Sequence, residues 1–134
     1  MTGKLISPAK WLLVLTLALS TAGCMAAAAA AGAGAGIYLT SRGAESIVEG
    51  SIDDVSARAR SVLNEEGIAL DESTRADGGD EREFKGKKGD LDVTVDLKRE
   101  SSTTTRVEVA ARENVAEWDK EYAQQLLSRI VEKD

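Results

Sequence analysis

From Trp11 to Ser41 the chain carries no charged side chain, whereas the residues that follow are rich in Asp, Glu, Lys and Arg. A stretch this long without charge cannot belong to the same amphipathic pattern as the rest. The chain therefore divides into a part suited to membrane and a part suited to water. With 134 residues, at most one domain remains once a targeting segment is set aside. The hydrophobic share of 43% is ordinary in total, and only its distribution is unusual.

Both charges in the first 23 residues are lysines, Lys4 and Lys10. Removing them from the 17 basic residues leaves 15 against 23 acidic ones, a net charge of −8 for the remainder. Binding to nucleic acid draws on clustered Lys and Arg that release counterions, so no nucleic-acid partner is expected. Docking on anionic lipid by charge is disfavoured for the same reason. The chain has no histidine, the usual base near neutral pH and the commonest metal ligand. A single cysteine allows neither an intramolecular disulfide nor a Cys-rich zinc site. No metal and no cofactor is expected.

The N-terminus has the three-part layout of a secretory signal. Met1 to Lys10 is short and positively charged, Trp11 to Leu19 is apolar, and Ser20-Thr21-Ala22-Gly23 is a run of small residues leading into Cys24. The strongly apolar run is well short of the roughly 20 residues that span a bilayer. Here the chain resembles bacterial lipoprotein precursors, whose lipobox places a branched apolar residue and two small residues before the lipidated cysteine. Ala22, Gly23 and Cys24 match, and Thr21 stands where Leu is usual. The resemblance implies cleavage between Gly23 and Cys24, a diacylglyceryl group on the Cys24 sulfur, and membrane attachment through that lipid. Met25, in place of the Asp that marks inner-membrane retention, implies the outer membrane facing the periplasm in a Gram-negative cell.

Two alternatives stand beside this reading. Cys24 could be an inert buried thiol, although the only cysteine falls where the signal requires it. The uncharged stretch is also long enough for an uncleaved single-pass helix, with Gly32 and Gly36 in G-x-x-x-G spacing. Against that, Ala26 to Ala31 and the Gly-Ala alternation to Gly36 are only weakly apolar. They read as a tether, with Ile37-Tyr38-Leu39 at the membrane interface, where Tyr is at home. The expected organisation is a signal peptide over 1–23, a lipidated cysteine and tether over 24–43, and a small domain over 44–134.

Within that domain, Ser46 to Gly50 reads as a strand. Ser51 caps a helix with Asp54 three residues on, and Ile52, Val55, Ala59, Val62 and Leu63 lie on one face before Gly67 stops it. Ile68 to Ser73 and Glu81 to Gly86 read as strands, with turns at Ala76–Asp80 and Lys87–Gly89. Leu91, Val93, Val95 and Leu97 alternate with polar residues, as do Thr105, Val107, Val109 and Ala111, so both segments are strands with one buried face. Opposing Val95 to Val107 sets Asp96 against Arg106. A shift by two opposes Val95 to Val109, Asp96 to Glu108 and Lys98 to Arg106, so the first register is expected. A last helix is expected from about Val115 to Lys133, with Val115, Trp118, Tyr122, Leu126, Ile130 and Val131 on its apolar stripe. The fold class is α+β: an antiparallel-rich sheet in the order β-α-β-β-β-β-α with two helices on one face.

The cysteine, the Gly-Ala-Gly-Ala-Gly-x-Tyr segment, the early strand, the helix ending in Gly and the strand-rich second half resemble one family. It consists of small bacterial lipoproteins catalogued as domain of unknown function 3568. The resemblance covers nearly all of the chain and implies no catalytic residue.

The residues themselves point the same way. Asp77, Asp80 and Glu81 lack the alternating spacing of a calcium loop. Gly86-Lys87-Lys88-Gly89 lacks phosphate-loop spacing, and acids surround its lysines. The hydroxyls of Ser101 to Thr105 suit a hairpin loop. Trp118 and Tyr122, four apart, read as core anchors rather than a stacking pair. The expected function is a noncatalytic, membrane-anchored envelope module that binds a protein, the cell wall or an envelope lipid. Its candidate binding surface is the uncovered sheet face with Asp92, Thr94, Asp96, Arg106 and Glu108. The alternative is an enzyme that acts on glycans with carboxylates alone, which needs a pair about 5–10 Å apart.

Overall fold

A computed structural model describes residues Gly36–Asp134. The expected signal peptide, Cys24 and most of the expected tether lie outside the described residues. Two short strands open the chain, β1 at Tyr38–Leu39 and β2 at Gly43–Glu49. Helix α1 at Ile52–Glu65 crosses to the far side of the sheet. From there β3 at Ala69–Ala76, β4 at Glu81–Lys88, β5 at Leu91–Arg99 and β6 at Thr104–Arg112 return as a meander. Helix α2 at Lys120–Glu132 closes the fold. All strand pairs are antiparallel, in the spatial order β1-β2-β6-β5-β4-β3. The architecture is α+β, as the alternating patterns predict, with β1 as a strand the pattern did not show.

Both helices pack on one face of the sheet because one face is apolar by period-two alternation. Ala44 and Val48 of β2, Val93, Val95 and Leu97 of β5, and Val107, Val109 and Ala111 of β6 form one core with the helices. Helix α1 contributes Ile52, Val55, Ala59, Val62 and Leu63, and α2 contributes Ala123, Leu126, Leu127 and Ile130. The start of α1 is built as expected. The Ser51 hydroxyl accepts from the Asp54 amide at 3.2 Å and donates to the Asp54 carboxylate at 2.8 Å. Beyond its last turn Gly67 takes φ +72°, a left-handed conformation that glycine adopts without steric cost. Gly43 answers a different demand. A Cβ there would overlap the Val109 carbonyl oxygen and stand 2.9 Å from the Ala123 Cβ, so its bare backbone lets α2 lie close over β2 and β6.

Several expectations are corrected. Helix α2 starts at Lys120 rather than Val115. The Asn114 side chain accepts from the amides of Ala116 and Glu117 at 2.9 and 3.1 Å, which holds a turn that competes with the helix. Trp118 pairs with Arg112 as an isolated bridge, and Asp119 caps the helix by accepting from the Tyr122 amide at 2.8 Å. Val115 is consequently 89% exposed. Ile68 is buried just ahead of β3, but the strand bulges between Leu70 and Glu72, and all its residues are exposed because it forms the sheet edge. Lys87 and Lys88 extend β4, so the turn falls at Gly89 and Asp90.

The β5–β6 register is the one the charge argument rejected. Val95 opposes Val109, Asp96 opposes Glu108, and Lys98 opposes Arg106. This register sets Leu97 against Val107, two core side chains, where the expected one would have set it against Thr105. The loop it leaves is closed by the amides of Glu100 and Ser101, which both donate to the Thr104 carbonyl at 3.1 Å. The charges find partners sideways rather than across this one pair. Arg106 bonds Glu45 of β2 at 2.8 Å and Glu100 at 2.6 Å, and Lys98 bonds Glu81 of β4 at 3.2 Å.

Candidate binding face

The face of the sheet that no helix covers carries the polar members of each alternation. Asp92, Thr94 and Asp96 of β5 and Arg106 and Glu108 of β6 all lie on it, since each is out of phase with the core residues beside it. The observed register adds a feature that no single strand shows. Glu45 pairs with Glu108, Glu108 with Asp96, and Asp96 with Glu83, so four carboxylates from four strands form a row across the sheet.

Cations flank this row on both sides. Arg42 reaches Glu108 at 3.2 Å and Lys85 reaches Glu83 at 2.9 Å. Bonding to Glu83 holds the Lys85 ammonium above its ordinary pKa, and Glu100 and Glu45 do the same for the Arg106 guanidinium. Asp96, in the middle of the row, makes none of these ion pairs. Its partial burial first, and then the charge and hydrogen bond of Glu83, raise its pKa from 3.8 to about 6. Asp96 therefore holds its proton more tightly than an isolated carboxyl does.

Two shallow, open grooves run along this face. One, of about 440 Å³, is lined by Thr74, Glu81, Glu83, Asp96, Lys98 and Arg106, among others. The other includes Arg42, Asp92, Thr94, Arg112 and Trp118. Trp118 is not a core anchor. It stands half-buried at this end of the face, with the Arg112 and Arg42 guanidinium groups 5.1 and 6.0 Å from its ring. Tyr122 lies elsewhere, under the Lys88 ammonium at 5.3 Å.

The remaining sequence motifs find structural uses. Asp80 pairs with Arg99 at 2.7 Å, and the Ser101 and Thr104 hydroxyls bond each other across the loop at 2.7 Å. Lys88 pairs with Glu66 at 3.4 Å. Among the described residues, no group of three or more His, Cys, Asp or Glu is arranged to hold a metal ion. No described helix is long and apolar enough to cross a membrane. Glu83 and Asp96 are direct cross-strand partners of β4 and β5.

A family model described as "Protein of unknown function (DUF3568)" matches residues 8–133. The chain belongs to this family. The match takes in nearly the whole sequence, including Cys24, the Ala/Gly segment and every strand of the candidate face. No curated protein matches the chain. The chemistry of this face therefore rests on the side chains themselves. The five anticipated surface residues were legible from alternation alone. Glu45, Glu83 and Trp118 were not, because their place on the face depends on which strands become neighbours.

Proposed function

We propose that this DUF3568 protein is a lipid-anchored protein of the bacterial envelope that binds a partner through the helix-free face of its sheet. The anchor is the lipid on Cys24, left at the N-terminus by cleavage after Gly23, and its place is the outer membrane facing the periplasm in a Gram-negative cell. The observation that carries the binding role is the charged row Glu45–Glu108–Asp96–Glu83 with its flanking cations, laid open on one face while the helices close the other. An acidic row edged by cations selects a partner by charge pattern and suits a protein, cell-wall or headgroup ligand with polar groups in a fixed array.

The test places a photo-cross-linking residue at Thr94, in the middle of the face, in the natural host. Intact mass of the same protein beside Cys24→Ala reports the anchor. A protein that begins at Cys24 with added lipid mass, with cross-links that disappear in Asp96→Lys and Arg106→Glu, is the expected result. Cross-links unchanged by both reversals would overturn the binding role, and retention of Met1 to Gly23 without lipid would overturn the anchor.

A further inference from the structure

We propose that α1 and the β3–β4 pair frame a binding site for a phosphate dianion, taken up free or as a terminal monoester. The site lies on the helix-covered side of the sheet and rests on neither the open face nor the lipid anchor. A cavity of about 210 Å³ is lined there by Arg60, Arg75, Arg82, Ser56, Ser73 and Asp53, among others. Three guanidinium groups against one carboxylate leave two positive charges in the lining, in a chain whose net charge is −6. That excess matches a dianion.

The fold concentrates these charges although they repel one another. Arg75 and Arg82 are direct cross-strand partners, so both project to the same side of the sheet, and like charges so placed destabilise a strand pair. Arg60 comes from α1, with its guanidinium 5.3 Å from the centre of the Phe84 ring. Asp53 forms an ion pair with Arg82. Its carboxyl is held below its ordinary pKa first by the hydrogen bond from Arg82, then by the charges of Arg82, Arg75 and Arg99, so the field around it is positive. Among the described residues, no carboxylate comes within ion-pair distance of Arg60 or Arg75.

Hydrogen bonding points to the same place. Only two buried side-chain polar atoms among the described residues have no hydrogen-bond partner, Arg82 Nε and Ser56 Oγ, and both belong to this lining. The Arg82 side chain is 9% exposed, and it gives Nη2 to Asp53 while Nε goes without an acceptor. Buried polar groups without partners are rare, and two in the lining of one cavity mark an acceptor supplied from outside the chain. Guanidinium forks bind phosphate oxygens two at a time, and the serine hydroxyls add further donors.

The test titrates the full chain, in a nonionic detergent at pH 8 and constant ionic strength, with sodium phosphate in a calorimeter. The expected result is saturable binding of one phosphate per chain. Arg60→Gln and Arg75→Gln, both at exposed positions outside the core, should each weaken it about tenfold. Asp53→Asn removes the negative charge from the lining and should tighten it about threefold. Arg129→Gln, which takes a charge from the Glu65–Glu66 end of α1, should leave it unchanged. No saturable binding overturns the site. Equal weakening by Arg60→Gln, Arg75→Gln and Arg129→Gln assigns the binding to overall charge and overturns it as well, and sodium acetate binding as tightly as phosphate overturns the dianion. Glycerol 3-phosphate separates the two sources: tighter binding than phosphate assigns the site to a terminal monoester, and equal or weaker binding assigns it to the free ion.

Discussion

Asp96→Asn should stabilise the domain at alkaline pH and leave it unchanged in acid. In the folded protein Asp96 faces Glu83 and Glu108 on neighbouring strands, and its pKa is raised from 3.8 to about 6. A raised carboxyl pKa means the folded state holds the proton more tightly than the unfolded chain does. Stability from this group is therefore greatest below the unfolded value, falls between pH 4 and 6, and stays reduced above. Without solvent screening the rise corresponds to about 3 kcal/mol. Asp96 is only partly buried, and solvent screening reduces the expected loss to about 1–1.5 kcal/mol. Asparagine has the shape of the protonated acid and places no charge beside Glu83 and Glu108, so the variant should recover that amount at pH 8 and gain nothing near pH 3.5. Urea unfolding of the compact unit Gly34–Asp134, run on both proteins across this range, measures the difference directly. A variant less stable than wild type at pH 8, or one with the same gain at both ends, would refute the reasoning.

Gly43→Ala should destabilise the domain by about 1–3 kcal/mol, since the new methyl overlaps the Val109 carbonyl and crowds Ala123. Thermal unfolding would show it, and a Tm equal to wild type would mean that β2 and α2 separate more easily than their contact suggests. Asp53→Asn should lower stability at neutral pH by taking the charged partner from Arg82, whose side chain is only 9% exposed on the helix-covered face. Arg82 holds the Asp53 carboxyl below its ordinary pKa, so this loss should fade as pH falls through that lowered value, which is read by denaturation at pH 7 and pH 2.5.

The helices and the β5 and β6 strands were readable because their apolar periods are long and uninterrupted. Ile52 to Leu63 repeat at helical spacing, and Leu91 to Leu97 alternate strictly. β1 escaped notice because two residues make no period, and it exists only where β2 offers an open edge. The start of α2 was misread because Val115 and Trp118 fit the apolar stripe in sequence. The Asn114 turn and the Arg112–Trp118 bridge take those residues out of it. The candidate face was half legible: five of its residues follow from alternation, while the carboxylate row does not.

By itself the sequence determined the type of most elements, the face each turns to the core, and the caps at Ser51 and Gly67. These depend on side chains within a few residues of one another, where geometry is set by the helix or strand alone. Only the tertiary structure decided the β5–β6 register, the strand order, and therefore the row Glu45–Glu108–Asp96–Glu83. Judged as an isolated hairpin, the pairing of Asp96 with Arg106 looks better. In a six-stranded sheet the apolar face is buried against two helices and most charges can pair laterally, so core complementarity outweighs one exposed ion pair.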